Sequence, residues 1–249
     1  MLRDAVAELY AAFRCRALSS GGPAVCSPHC ASADAVRRIA GATEPADVSF
    51  EDLREFHDAA KGEGAGWDMA FLLPRTLEFV ARGRVPKTAG LFALFAHEFP
   101  PVWRALTDRE RGAVRSYCRE LVRWRLALAT TVRCDYEPMD ILAMAASGGF
   151  DVDPVLDALC DPPATDASDD VLVDLVLDHM TPRRKGRTFY ATDERTAAHI
   201  DGRLRALVRS PATLARLERL ALSDREALRA ERASLAHLML EHEMNAGDG

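Results

Sequence analysis

Apolar residues recur along this chain at spacings of three and four, the pattern of helices with one buried face. The most apolar sustained run before residue 85 extends from Trp67 to Arg82. It carries Trp67, Phe71, Leu72, Leu77, Phe79 and Val80, with Asp68, Arg75, Glu78 and Arg82 between them. The spacing predicts a helix around which the rest of the chain packs. Pro74 sits inside it; proline removes a backbone donor and clashes with the carbonyl four residues earlier, so the helix is expected to kink or restart. Arg75 is then placed to hydrogen-bond the freed carbonyls.

The same reading predicts helices on both sides of this run. Val6, Leu9, Tyr10 and Phe13 share one face of a helix over 3–18, which the glycines and prolines of Ser19 to Pro28 interrupt. Ser32 or Asp34 caps a short helix to Ile39, and Ser49 with Asp52 forms a capping box for one reaching Ala60. Ala89 to Phe99 reads as a buried helix stopped by Pro100 and Pro101. Thr107 with Glu110 opens a long helix to about Thr130, with Val114, Cys118, Leu121, Val122 and Leu128 inward. Pro138 to Gly148, Asp153 to Cys160, and Asp169 to His179 supply three shorter ones. After a basic loop at Thr181 to Thr192, helices open at Asp193, at Ser210-Pro211 and at Ser223 with Glu226. No stretch alternates like a strand. The expected fold is all-α, with stacked helical hairpins in an irregular bundle or solenoid-like arrangement and no fixed repeat period. It forms a single domain over 1–249, with a soft division near 131–135.

Composition narrows the setting. With 48% hydrophobic residues the 249-residue chain can bury a sizeable core. The 38 acidic and 32 basic residues give a net charge of −6, which argues against nucleic acid or an anionic membrane as the partner. That sum hides a segregation: 12 of the acidic residues, and no Lys or Arg, lie between Asp135 and His179. No window reaches the length of a membrane span, and Met1 to Leu18 is charged throughout, so a cytoplasmic protein is expected. The 6 cysteines are scattered, which speaks against a disulfide framework.

One local constellation carries ligand-type residues: Cys26, His29 and Cys30 in Val25-Cys26-Ser27-Pro28-His29-Cys30. Thiolate and imidazole are the donors a tetrahedral zinc site prefers, and a turn-rich loop can converge them on one ion. A fourth ligand would come from His57, His97 or Cys118, or the position would hold water as in a catalytic site. Elsewhere His97-Glu98, Asp178-His179 and His237 with Glu241 and His242 set carboxylates beside imidazoles. None has the repeated Glu-x-x-His of a di-iron bundle. Asp151, Asp153 and Asp157 lack the glycine and terminal glutamate of a calcium loop. Arg111, Arg115, Arg119 and Arg123 form a basic stripe on the long helix, read as a solvated face that pairs with the acidic segment, the alternative being a site for phosphate or an acidic partner.

Several of these residues together resemble a family. Cys26 to Cys30 with Ala31-Ser32, Asp52-Leu53, and Trp67-Asp68 leading to Phe71-Leu72-Leu73-Pro74-Arg75-Thr76-Leu77-Glu78 resemble an uncharacterised family of bacterial proteins. Its members carry a Cys-Pro-Cys-Cys-like cluster and a Phe-Leu-Pro-Arg-x-Leu-Glu segment. The likeness covers residues 5–82, and more loosely Arg203 to Ala221. His29 stands where the family has a cysteine, and one extra residue separates Cys26 from the pair. The resemblance implies a folded, mostly helical bacterial protein and supplies no activity.

The expectation that results is an all-helical interaction or adaptor protein with a protein partner and a structural zinc site at Cys26, His29 and Cys30. The alternatives are a metal-dependent enzyme using the same loop, with Glu98 or another carboxylate as base, and nucleic-acid binding through the Arg stripe and Arg183 to Arg187.

Overall fold

In a computed structural model that describes residues 1–26, 29–62, 65–96, 99–128, 133–162, 165–180, 193–222 and 227–247, the chain is all-α. Among the described residues the only extended pairing is an isolated bridge between Val25 and Lys61, and no helix there is long and apolar enough to cross a membrane.

The helices are α1 (Leu2–Phe13), α2 (Ala33–Ala40), α3 (Phe50–Asp58), α4 (Ala65–Ala81), α5 (Pro100–Ala105) and α6 (Asp108–Ala127). They are followed by α7 (Pro138–Ser147), α8 (Asp153–Cys160), α9 (Asp166–Met180), α10 (Glu194–Val208), α11 (Pro211–Ala221) and α12 (Ala227–Gly247). Most begin at the signals the sequence carries. The hydroxyls of Ser32, Ser49, Thr107 and Ser210 each accept the N–H three residues on, satisfying a donor the helix leaves orphaned. Pro138, Pro154 and Pro211 sit in first turns, where a missing N–H costs nothing.

The central helix is α4, which buries 12 of its 17 residues. It runs unbroken through Pro74, so the expected restart does not occur; the packing of its 12 buried residues outweighs the proline's local cost. Arg75 does not turn to freed carbonyls. Its Nε donates to the Val48 carbonyl at 2.9 Å and its Nη1 to Glu78 at 2.7 Å, with the guanidinium over the Phe79 ring. Trp67, expected inside, is 59% exposed, and Asp68 beside it is fully buried.

The other correction concerns Ala89 to Phe99, where among the described residues a 3-10 turn at Leu91–Ala93 follows Gly90 (φ +88°) in place of the expected helix. Pro100 and Pro101 open α5 instead of stopping a helix. Leu91, Leu94, Phe95 and Phe99 do sit at helical spacing and are buried, which is why the segment reads as a helix. They reach the core by other means: Phe95, Phe99, Trp103 and Phe150 stack in one aromatic cluster with centroids 4.9–5.4 Å apart. α1 ends at Phe13, well before residue 18, and α9 begins at Asp166, so Asp169 lies in its first turn instead of capping it.

α6 packs against α1, α7, α8 and α9, and α1 also lies on α4. Their apolar faces form the larger core, which runs from Ala5 to Leu159 and takes Ile200 from α10. A smaller core joins Val173 and Val176 of α9 to Val208, Leu217, Ala233, Ala236 and Leu240 of α10–α12. The two cores thus part mainly between α8 and α9, with Ile200 of α10 reaching back into the larger one.

Candidate functional site

The cysteine loop is built outward from α4. The buried Asp68 carboxylate accepts the N–H groups of Ser19 at 3.0 Å and Ala24 at 2.9 Å, fixing the turn after α1. Next, Gly62 donates to the Ala24 carbonyl and Cys26 to the Ala60 carbonyl, both at 2.8 Å, zipping the loop onto the joint between α3 and α4. Ala31 donates back to the Cys26 carbonyl at 3.1 Å, which folds residue 30 over residue 26. The two thiols lie near enough to shift each other's ionisation, and the Ala60 N–H acts on Cys30. The Ala60 N–H, and after it the Cys26 thiol, lower the pKa of Cys30; the neighbouring Cys30 raises that of Cys26. Cys30 and His29 are exposed.

Two of the three expected ligands are thus together, and among the described residues no three His, Cys, Asp or Glu side chains gather as a metal site. The distant candidates sit elsewhere. His57 is buried at the end of α3, its Nε2 3.0 Å from Thr76 Oγ1, with Phe56 and Phe95 edge-on to its ring. Cys118 is buried in α6, where burial pushes its thiol up to about 12. His97, Glu98, Pro28, Arg183, Arg184, Lys185, Arg187, Ser223 and Glu226 lie outside the described residues.

The Arg stripe is spent locally. Arg111 donates to the Leu106 carbonyl and to Asp108, while Arg119 and Arg123 lie 3.4 and 3.5 Å from Glu120. Arg115 alone of the four reaches the acidic segment, at Asp151, 2.9 Å away. The acids of that segment turn mainly to α10–α12. Asp157 meets Arg203 at 2.7 Å, Asp169 meets Arg216 at 2.5 Å, Asp170 meets Arg229 at 2.7 Å, and Asp174 meets Arg232. The segregation along the sequence is a contact between α8–α9 and α10–α12.

An open depression of about 570 Å³ lies between α2 and the start of α3, lined by Arg38, Asp47, Glu51 and Asp52 among others. Its one guanidinium is held by the Asp52 carboxylate at 2.6 Å.

What the sequence reading missed is the outward face of α12. Ala233, Ala236 and Leu240 face the smaller core, yet Leu228, Leu235 and Leu238 are 71%, 52% and 62% exposed on the other side, and Leu222 at the end of α11 is 78% exposed. The signal was there, since Leu228, Leu235 and Leu238 follow heptad spacing and form a second apolar stripe beside the buried one. Comparison with protein families, with curated proteins and with solved structures finds no match.

Proposed function

We propose that this protein is an all-helical interaction module that docks a partner helix along the outward side of α12. One observation carries the reading: three leucines in heptad register stand exposed on a helix whose opposite side is already committed. Arg229 and Arg232 tie α12 to Asp166, Asp170 and Asp174 of α9, so α12 is a pre-formed ridge. Scattered exposed leucines need no explanation, but a stripe of them matches the anchor spacing by which one helix recognises another.

The test is Leu235→Ser with Leu238→Ser. Measured at a dilution where the chain is monomeric, thermal stability should hold because the face is exposed, and binding of a hydrophobic dye should fall. A stability loss of about 2–5 kcal/mol, the cost of truncating a core leucine, would mean that the face is packed inside the protein.

A second reading rests on the thiol pair. Backbone N–H donation to Cys30 favours the thiolate, the form that binds a soft divalent metal, so Cys26 and Cys30 supply two donors toward zinc with the adjacent His29 as a third. Elemental analysis of protein purified without a metal-affinity tag tests it.

A further inference from the structure

We infer that the partner of the α12 ridge is a second copy of the same chain, paired antiparallel about a two-fold axis between Leu235 and Leu238. The inference rests on the interaction reading above and names the occupant of that surface.

The heptad seam of α12 reads Leu228, Glu231, Leu235, Leu238, His242, Asn245, and all six residues are exposed. Its alternate three- and four-residue steps are those of coiled-coil core positions. An antiparallel pair sets each first-type core position against a second-type position of the other helix. With the axis between Leu235 and Leu238, Leu235 meets the partner's Leu238, Glu231 meets the partner's His242, and Leu228 meets the partner's Asn245. Four leucines close the centre, and on each side of them a carboxylate accepts a hydrogen bond from an imidazole N–H.

The alternatives fit worse. A parallel pair stacks Glu231 on the partner's Glu231, bringing two carboxylates together as they leave water. Sliding the antiparallel pair by one heptad presses Glu231 onto the partner's Leu235 in one direction, and Leu235 onto the partner's Asn245 in the other. Of these registers only the central one joins Leu235 to Leu238 and Glu231 to His242 at once, leaving the Leu228 and Asn245 pairs at its two ends.

Energetically the ridge is prepared for pairing. Helix nucleation is unfavourable, but α9 and α11 already hold α12 helical, so association does not bear that cost.

The experiment is sedimentation equilibrium on the full chain, run on the parent, Glu231→Lys, His242→Glu and the Glu231→Lys, His242→Glu double variant, with circular dichroism confirming that each folds. The parent should be a dimer. Each single change should weaken it about tenfold, and the double variant, which restores an attractive pair only in the antiparallel register, should recover. A dimer indifferent to these changes and to Leu235→Ser overturns the proposal, as does a double variant weaker than both singles. A monomeric parent also overturns it. In that case, unchanged stability in the leucine variant leaves the ridge open to a different helix, whereas lost stability removes the interaction reading as well.

Discussion

Arg16, three residues past the end of α1, grips Glu110 at the start of α6 with two hydrogen bonds, Nε to Oε1 at 2.6 Å and Nη2 to Oε2 at 2.7 Å. The same carboxylate accepts the Thr107 N–H at 2.7 Å, so one side chain both caps α6 and ties it to α1. Burial pushes the Glu110 carboxyl upward, but Arg16 and Thr107 outweigh it and hold the group below the usual carboxylate range.

Glu110→Ala should therefore cost about 3 kcal/mol, because it strands a largely buried guanidinium as well as removing a cap. For a chain of this size that is a fall of about 6–12 °C in Tm. Arg16→Ala combined with Glu110→Ala should cost less than the two changes summed, since the second removes a charge already left alone. Thermal denaturation of the four proteins measures this. An additive cycle would mean that the two residues act independently.

A second dependence follows from His57. Burial first, and then the ammonium groups of Lys61 and Lys87, hold its pKa well below the usual 6.5, and Nδ1 has no hydrogen-bond partner among the described residues. The ring is neutral in the folded chain and takes up a proton near its ordinary pKa only on unfolding. Below that value the unfolded state binds more protons, so stability present at neutral pH is lost as pH falls, by up to about 1.4 kcal/mol per pH unit. His57→Phe keeps an aromatic ring beside Phe56 and Phe95 and removes the titration. Between pH 7 and pH 5 the variant should lose less stability than the parent in urea denaturation, the difference reaching at most about 2 kcal/mol. Equal acid sensitivity in both would show that His57 does not set it.

These two sites divide what can be read from sequence from what cannot. Thr107 and Glu110 announce a helix start because the bonds they make span three residues, and the same holds for Ser32, Ser49 and Ser210. That Arg16 is the partner of Glu110 depends on how α1 lies on α6, which no local pattern encodes. Trp67 and Asp68 invert expectation for the same reason: the carboxylate is buried because two distant N–H groups need it. The indole stays outside beneath the Arg16 guanidinium, 5.2 Å from its centroid. Leu91 to Phe99 has helical spacing but takes its burial from α7 and Phe150, and the acidic segment finds its bases on α10–α12 instead of the nearer stripe on α6. The Cys26–Cys30 contact was legible as proximity in sequence. The Ala60 N–H that distinguishes the two thiols was not.

That difference sets the last prediction. Cys30 is exposed and favoured as thiolate by the Ala60 N–H, while Cys118 is buried and pushed up to about 12. Alkylation at neutral pH should accordingly modify Cys30 before the equally exposed Cys15 and leave Cys118 untouched until the protein unfolds, because the thiolate is the reactive form. Peptide mapping by mass spectrometry over time resolves the order. Added zinc should then protect Cys26 and Cys30 together without slowing Cys15, and the Cys26→Ser, Cys30→Ser variant should bind no metal. If zinc is lost along with thermal stability, the site is structural. Cys30 reacting no faster than Cys15, with no protection by zinc, would leave the loop as a turn with two thiols and no chemistry of its own.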